Sequence, residues 1–183
     1  GFYPKTRDSV GIWITRRKTS QQVDADVGVD LLVPASVSPG SGRRAARLPG
    51  HDTRAARIVR GLDGALVDSD TMTLAALEAD DARAFDIRVA GPTALLIAKV
   101  HKINERSGTG RQSDKDALDV LRLLRGTELD DLATRYAKLA ADGRSAESAK
   151  AGRDLLEAQF TSRTGIGVEI GRASCRERVL TDV

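Results

Sequence analysis

The chain has 183 residues, 40% of them hydrophobic and 30% charged, which is globular composition and excludes a disordered chain. Aromatic residues make up only 3%, so a core must come from Val, Leu, Ile and Ala, and no apolar run approaches the roughly 20 residues of a membrane span. The net charge of +3 is too small to point to nucleic acid without a local cluster, and the opening "GFYPKTRDSV" lacks the apolar stretch of an export signal.

A cytoplasmic protein with no membrane partner is therefore expected. The length suits one domain, or one domain with a helical appendage. In chain order, "VGIWIT" (10–15) alternates apolar and β-branched residues and predicts a strand. "RRKTSQQ" then reads as a basic turn, and "VDADVGVDLLVP" (23–34) as the returning strand of a hairpin. Residues 34–52 are rich in Pro, Gly and Ser and predict a loop. Asp52 is placed to N-cap a short helix over 53–60 that stops at Gly61. "ALVDSD" and "AFDIRVA" predict two more strands, and Pro92 suits the first turn of a helix over 93–106. Ser113 is a natural N-cap for the helix "SDKDALDVLRLLRG", and two further helices are expected in "LDDLATRYAKLAAD" and "SAESAKAGRDLLEAQF". The expected fold is α+β, a small mixed sheet followed by a C-terminal helical region.

Both ends of the sequence are unusual. It opens on Gly1 without a methionine, and "GFYP" reads as the continuation of something upstream. At the other end "IGRASCRERV" (170–179) reads as a translated sequencing adapter, so 170–183 is expected to be an artefact outside the fold. Cys175, the only cysteine, belongs to that tail, which removes disulfide, thiol-nucleophile and zinc readings. The tail holds three arginines and two acids, leaving 26 basic and 24 acidic residues.

Strand side chains alternate faces, so Asp24, Asp26 and Asp30 share one face of 23–34 with Gly28. For Asp24 and Asp26 the reading is a charged edge that prevents sheet-to-sheet pairing. Asp30 lies inside "VDLLVP", where apolar residues are continuous, and a carboxylate there needs a cation or a metal. In the 93–106 helix, Leu96, Val100 and Ile103 fall on one arc at 100° per residue. Lys99 borders this arc, able to run its stem over apolar surface to the rim of a cleft, while Lys102 points further out. Asp116 projects onto the apolar face of the next helix, with Asp119 on its flank; a helix-dipole role and a functional one are both open for Asp116. The arginines at 43, 44, 47, 54, 57 and 60 suit phosphate contacts or a solvated surface equally well. His51 and His101 have no partners in the pattern from which a zinc site or a triad could be built.

Together, "VDLLVP", "GPTALLIAKVHKINER" and "SDKDALDVLRLLRG" resemble the nucleotidyltransferase superfamily, nearest to its AbiEii-type toxin members. The motif helices "LIAKVHKINER" and "KDALDVLRLL" carry the likeness, which runs over about residues 1–169. The resemblance implies transfer of a nucleotidyl group from an NTP to an RNA or protein acceptor with Mg²⁺, as in toxin–antitoxin or abortive-infection systems, with an antitoxin protein as partner. It implies Asp30 as a catalytic, metal-binding carboxylate, Lys99 as the lysine that meets the nucleotide phosphates, and Asp116 as a catalytic-motif aspartate. The family's Gly-Ser turn followed by an Asp-x-Asp strand has no counterpart here; Asp24-x-Asp26 follows "RRKTSQQ" and does not fit it. The expectation is a truncated transferase: a partial core over 1–110, helices over 111–169, and an inactive fragment of an active parent. The alternative is a non-catalytic module of the same fold that binds nucleic acid or protein.

Overall fold

The computed structural model of the chain describes residues 1–38, 44–78, 80–109 and 114–169. The adapter-like segment, the N-cap assigned to Ser113 and the cluster member Arg43 lie outside the described residues. The class is α+β, and the chain folds as two units, Gly1–Val59 and the remainder from Arg60.

The first unit is built on an antiparallel sheet of β1 (Tyr3–Pro4), β2 (Ile12–Lys18) and β3 (Asp24–Asp30), in the order β1-β2-β3. The expected hairpin is there, but the basic run Arg16-Arg17-Lys18 prolongs β2 instead of turning. Its register explains why: Arg16 stands opposite Asp26 and Lys18 opposite Asp24, so each of these cations faces a carboxylate across the strands. The Arg16 guanidinium reaches Asp26 at 3.3 Å. The turn falls instead over 19–23, closed by the Thr19 N–H on the Val23 carbonyl, with Gln22 in the left-handed region at φ 61°.

The returning strand does not run unbroken to Pro34. It yields at Leu31 to β4 (Leu32–Pro34), which pairs in parallel with β5 (Arg57–Val59). The helix expected over 53–60 is therefore absent. Asp52 does accept the Arg54 N–H at 2.7 Å, but in a turn that leads straight into β5. So short a helix is marginal by itself, and the β-branched Ile58 and Val59 gain more by pairing with β4.

In the second unit, residues 63–66 form a short 3₁₀ turn, and the hairpin of β6 (Ser69–Ala75) and β7 (Ala84–Ala90) follows. The strand expected in "ALVDSD" thus starts only at Ser69 and runs on through "TMTLA". Among the described residues the strands form three separate small sheets, where one mixed sheet was expected. Four long helices follow: α1 (Pro92–Arg106), α2 (Asp114–Gly126), α3 (Leu129–Ala141) and α4 (Ala146–Phe160). All four agree with the sequence reading. Leu96, Val100 and Ile103 of α1 pack on Val120 of α2, with Leu155, Leu156 and Phe160 of α4 against them. Ile97 meets Leu139 of α3 and Ala149 of α4. Gly152 permits the close approach of α4, because a Cβ there would lie 2.7 Å from the Ile97 Cδ1. Leu124 of α2 is exposed. Because α1 packs on α2 and α4, the helices beyond residue 110 share one body with α1 and the β6–β7 hairpin, and the division between units falls at Val59.

The start of α1 is secured from a distance. Gly91, at the N-cap position, has no side chain to cap with, and the buried Asp68 takes its place. Asp68 accepts the Ala94 N–H on Oδ2 at 2.9 Å and the Arg135 guanidinium of α3 on Oδ1 at 2.7 Å. Arg135 also binds Asp131 and Asp70, each at 3.0 Å, so one guanidinium ties α3, β6 and the head of α1 together. These hydrogen bonds, first of all that from Asp68, raise the Arg135 pKa above its ordinary value.

Candidate functional site

The densest charge cluster of the second unit lies along the α1–α2 contact. Lys99, Lys102 and Arg106 occupy positions i, i+3 and i+7 of α1, which stack on one helix face beside the apolar seam. Asp116 and Asp119 do the same on α2. Asp116 is buried, its side chain only 2% exposed, and every cation of the row reaches it. Its Oδ1 accepts from Lys102 at 2.8 Å and from Lys99 at 3.3 Å, and its Oδ2 from Arg106 at 2.7 Å. Asp119, partly exposed, takes Lys99 on Oδ2 at 2.6 Å and stands 3.5 Å from Arg122 through Oδ1.

Burial by itself would raise the Asp116 pKa, but the Lys102 hydrogen bond and the charges of Lys102 and Lys99 outweigh it and leave the carboxyl below its ordinary value. Burial would likewise lower the Lys99 pKa, and the Asp119 bond and charge reverse the sign, so the ammonium is held above its usual range. Both groups are thus charged at neutral pH. Four cations face two carboxylates among these six side chains, a surplus of two positive charges. Lys102 and Arg106 remain over a third exposed, so their further N–H donors stay within reach of a ligand. Donors in this arrangement can hold an anion, and a mixed set of ammonium and guanidinium groups suits phosphate chemistry.

Lys99 and Asp116, each placed by the sequence at an otherwise apolar helix face, meet across the α1–α2 contact. Lys102, expected to point further out, instead makes a shorter bond to Asp116 than Lys99 does; a lysine stem is long enough to bring its ammonium back from that position. Arg106 joins them unexpectedly; its i+7 spacing from Lys99 was the available signal.

Asp30 belongs to the first unit and is not the buried carboxylate that its apolar neighbours suggest. It ends β3 with a side chain 51% exposed, and its partner is Arg57 at 3.4 Å. With Leu31, Leu32, Val33, Leu48 and His51 it lines an open hollow of about 520 Å³. Among the described residues no group of three His, Cys, Asp or Glu side chains is close enough to hold a metal ion. Mg²⁺ needs near-octahedral oxygen ligation, so Asp30 beside a guanidinium does not fit a two-metal centre by itself. An exposed ion pair of this kind contributes little, so Asp30→Asn is expected to change unfolding free energy by less than about 1 kcal/mol. Urea unfolding followed by circular dichroism measures this; a larger loss would make Asp30 a structural residue.

The sequence matches no protein-family model, no curated protein is significantly similar to it, and no solved structure matches its fold.

Proposed function

We propose that the chain is a nucleotidyltransferase-like protein whose α1–α2 charge row receives the phosphates of a nucleotide. The observation that carries this reading is the buried Asp116 gathering Lys99, Lys102 and Arg106 into one row with positive charge to spare. A carboxylate so placed costs desolvation, and its use is to hold flexible cations in a fixed array before a ligand arrives. That array serves binding and orientation of an anionic substrate.

On this reading the charge row is the phosphate-binding part of a transferase; among the described residues no metal-binding set accompanies it. Transfer to an RNA or protein acceptor, toxin activity and an antitoxin partner belong to the same proposal. They rest on the motif likeness in "LIAKVHKINER" and "KDALDVLRLL".

The test is equilibrium binding of ATP, GTP, CTP and UTP to the full chain by titration calorimetry. Lys99→Met with Lys102→Met is expected to weaken binding by at least about tenfold for whichever nucleotide binds, since two charge-assisted contacts are lost. Equal affinity of wild type and variant would remove the α1–α2 row from nucleotide recognition.

A further inference from the structure

The two carboxylates of the charge row are unequal, and the inequality assigns them different tasks. Both oxygens of Asp116 are engaged, and its side chain is 2% exposed. Asp119 is 22% exposed and sits at the rim, where it takes the Lys99 ammonium that Asp116 holds only loosely. Its bond to Lys99, at 2.6 Å, is the shortest in the cluster, whereas Asp116 reaches the same ammonium only at 3.3 Å. Lys99 is therefore bound chiefly by the carboxylate that is easier to displace. Arg122, 3.5 Å from the other oxygen of Asp119, stands ready to keep that carboxylate paired once Lys99 is taken.

We propose that Asp119 is a built-in competitor: it occupies the Lys99 ammonium in the free protein and is displaced onto Arg122 when a phosphate anion enters the row. The inference rests on the anion-binding reading of that row. Its consequence is that Asp119 sets the affinity threshold of the site. A single phosphate group that meets Lys99 alone does little more than exchange one anion for another, while a chain of two or more phosphates gains Lys102 and Arg106 as well. Asp119 thus acts through Lys99 as a positioning and selectivity residue, and no covalent bond is made or broken.

Inorganic tripolyphosphate and orthophosphate are the probes, titrated calorimetrically into the full chain as wild type, Asp119→Asn, Asp119→Glu, Lys99→Met and the Lys99→Met/Asp119→Asn double variant. Asp119→Asn removes one negative charge beside the ligand, so its affinity for tripolyphosphate is expected to rise about tenfold. Orthophosphate affinity should rise by a larger factor, which narrows the discrimination between the two. Asp119→Glu should restore wild-type values, and the gain should vanish when Lys99 is also replaced. Thermal unfolding of each variant reports its fold. If Asp119→Asn binds no tighter than wild type, or if its gain survives the loss of Lys99, Asp119 is no competitor. Wild-type binding with no gain in Asp119→Asn overturns the competitor alone and leaves the anion site standing. Absence of binding in every variant overturns both.

Discussion

Asp116→Ala is expected to destabilise the second unit by about 3–5 kcal/mol, the cost of breaking a buried ion cluster from one side. The cause is the stranding of its partners: Lys99, Lys102 and Arg106 converge on this one carboxylate, and without it three like charges crowd the α1–α2 seam. Lys102 and Arg106 can swing into water, which places the loss toward the lower end; the Lys99 ammonium keeps Asp119. Urea unfolding by circular dichroism measures it, and a loss under about 1 kcal/mol would show that the cluster adds no more than an exposed pair does. The pH dependence follows from the depressed Asp116 pKa. Its stabilisation is fully present above the ordinary aspartate value of about 3.9 and is lost as pH falls through the lower folded value. The raised Lys99 pKa acts on the other limb: its contribution is complete below about 10.4 and disappears as pH rises through the folded value. Asp116→Ala should flatten the acid limb and leave a smaller alkaline one.

Gly91→Ala is expected to cost about 3 kcal/mol, above the roughly 1 kcal/mol usual when alanine takes an N-cap position. The backbone is not the reason, because φ −70° and ψ 166° suit alanine. A Cβ at this position would collide with the Asp68 carboxylate, which holds the Ala94 N–H and the Arg135 guanidinium. Moving Asp68 releases both, so α1 loses its distant cap and Arg135 one of three anions. A double-mutant cycle isolates the mechanism. In an Asp68→Ala background the Gly91→Ala cost should fall to near zero. A cost that persists there would mean the strain lies elsewhere.

The two networks bear on function through the same helix. Asp68 and Arg135 fix where α1 begins, and Asp116 fixes the cations along its later turns. The proposed anion site stands on two braced helices, which keep their geometry better than loops do. Substitutions at Asp68 or Gly91 should therefore weaken anion binding without touching the ligand.

The helical half was legible in the sequence because helix periodicity is a local property. Leu96, Val100 and Ile103 at 3–4-residue spacing, Pro92 at the first turn and the apolar face through Val120 are properties of short windows, and α1 to α4 follow them closely. The meeting of Lys99 with Asp116 was readable for the same reason, since each borders an apolar face and those faces must pack together. What lay between distant residues was not readable. Residues 57–59 could have been the end of a helix, and β4 made them a strand. Arg16 to Lys18 reads as a turn until Asp24 and Asp26 come to stand opposite. Asp30 reads as buried among Leu and Val, yet its strand ends at the surface beside Arg57. Asp68, with no motif around it, becomes the cap of a helix that starts only at Pro92. The positions of the four long helices, and the charges that border their apolar faces, follow from neighbours a few residues apart and so are written in the chain itself. Strand partners, the burial of each carboxylate and the cation that answers it come only with the folded packing, because those energies depend on groups far apart in the chain.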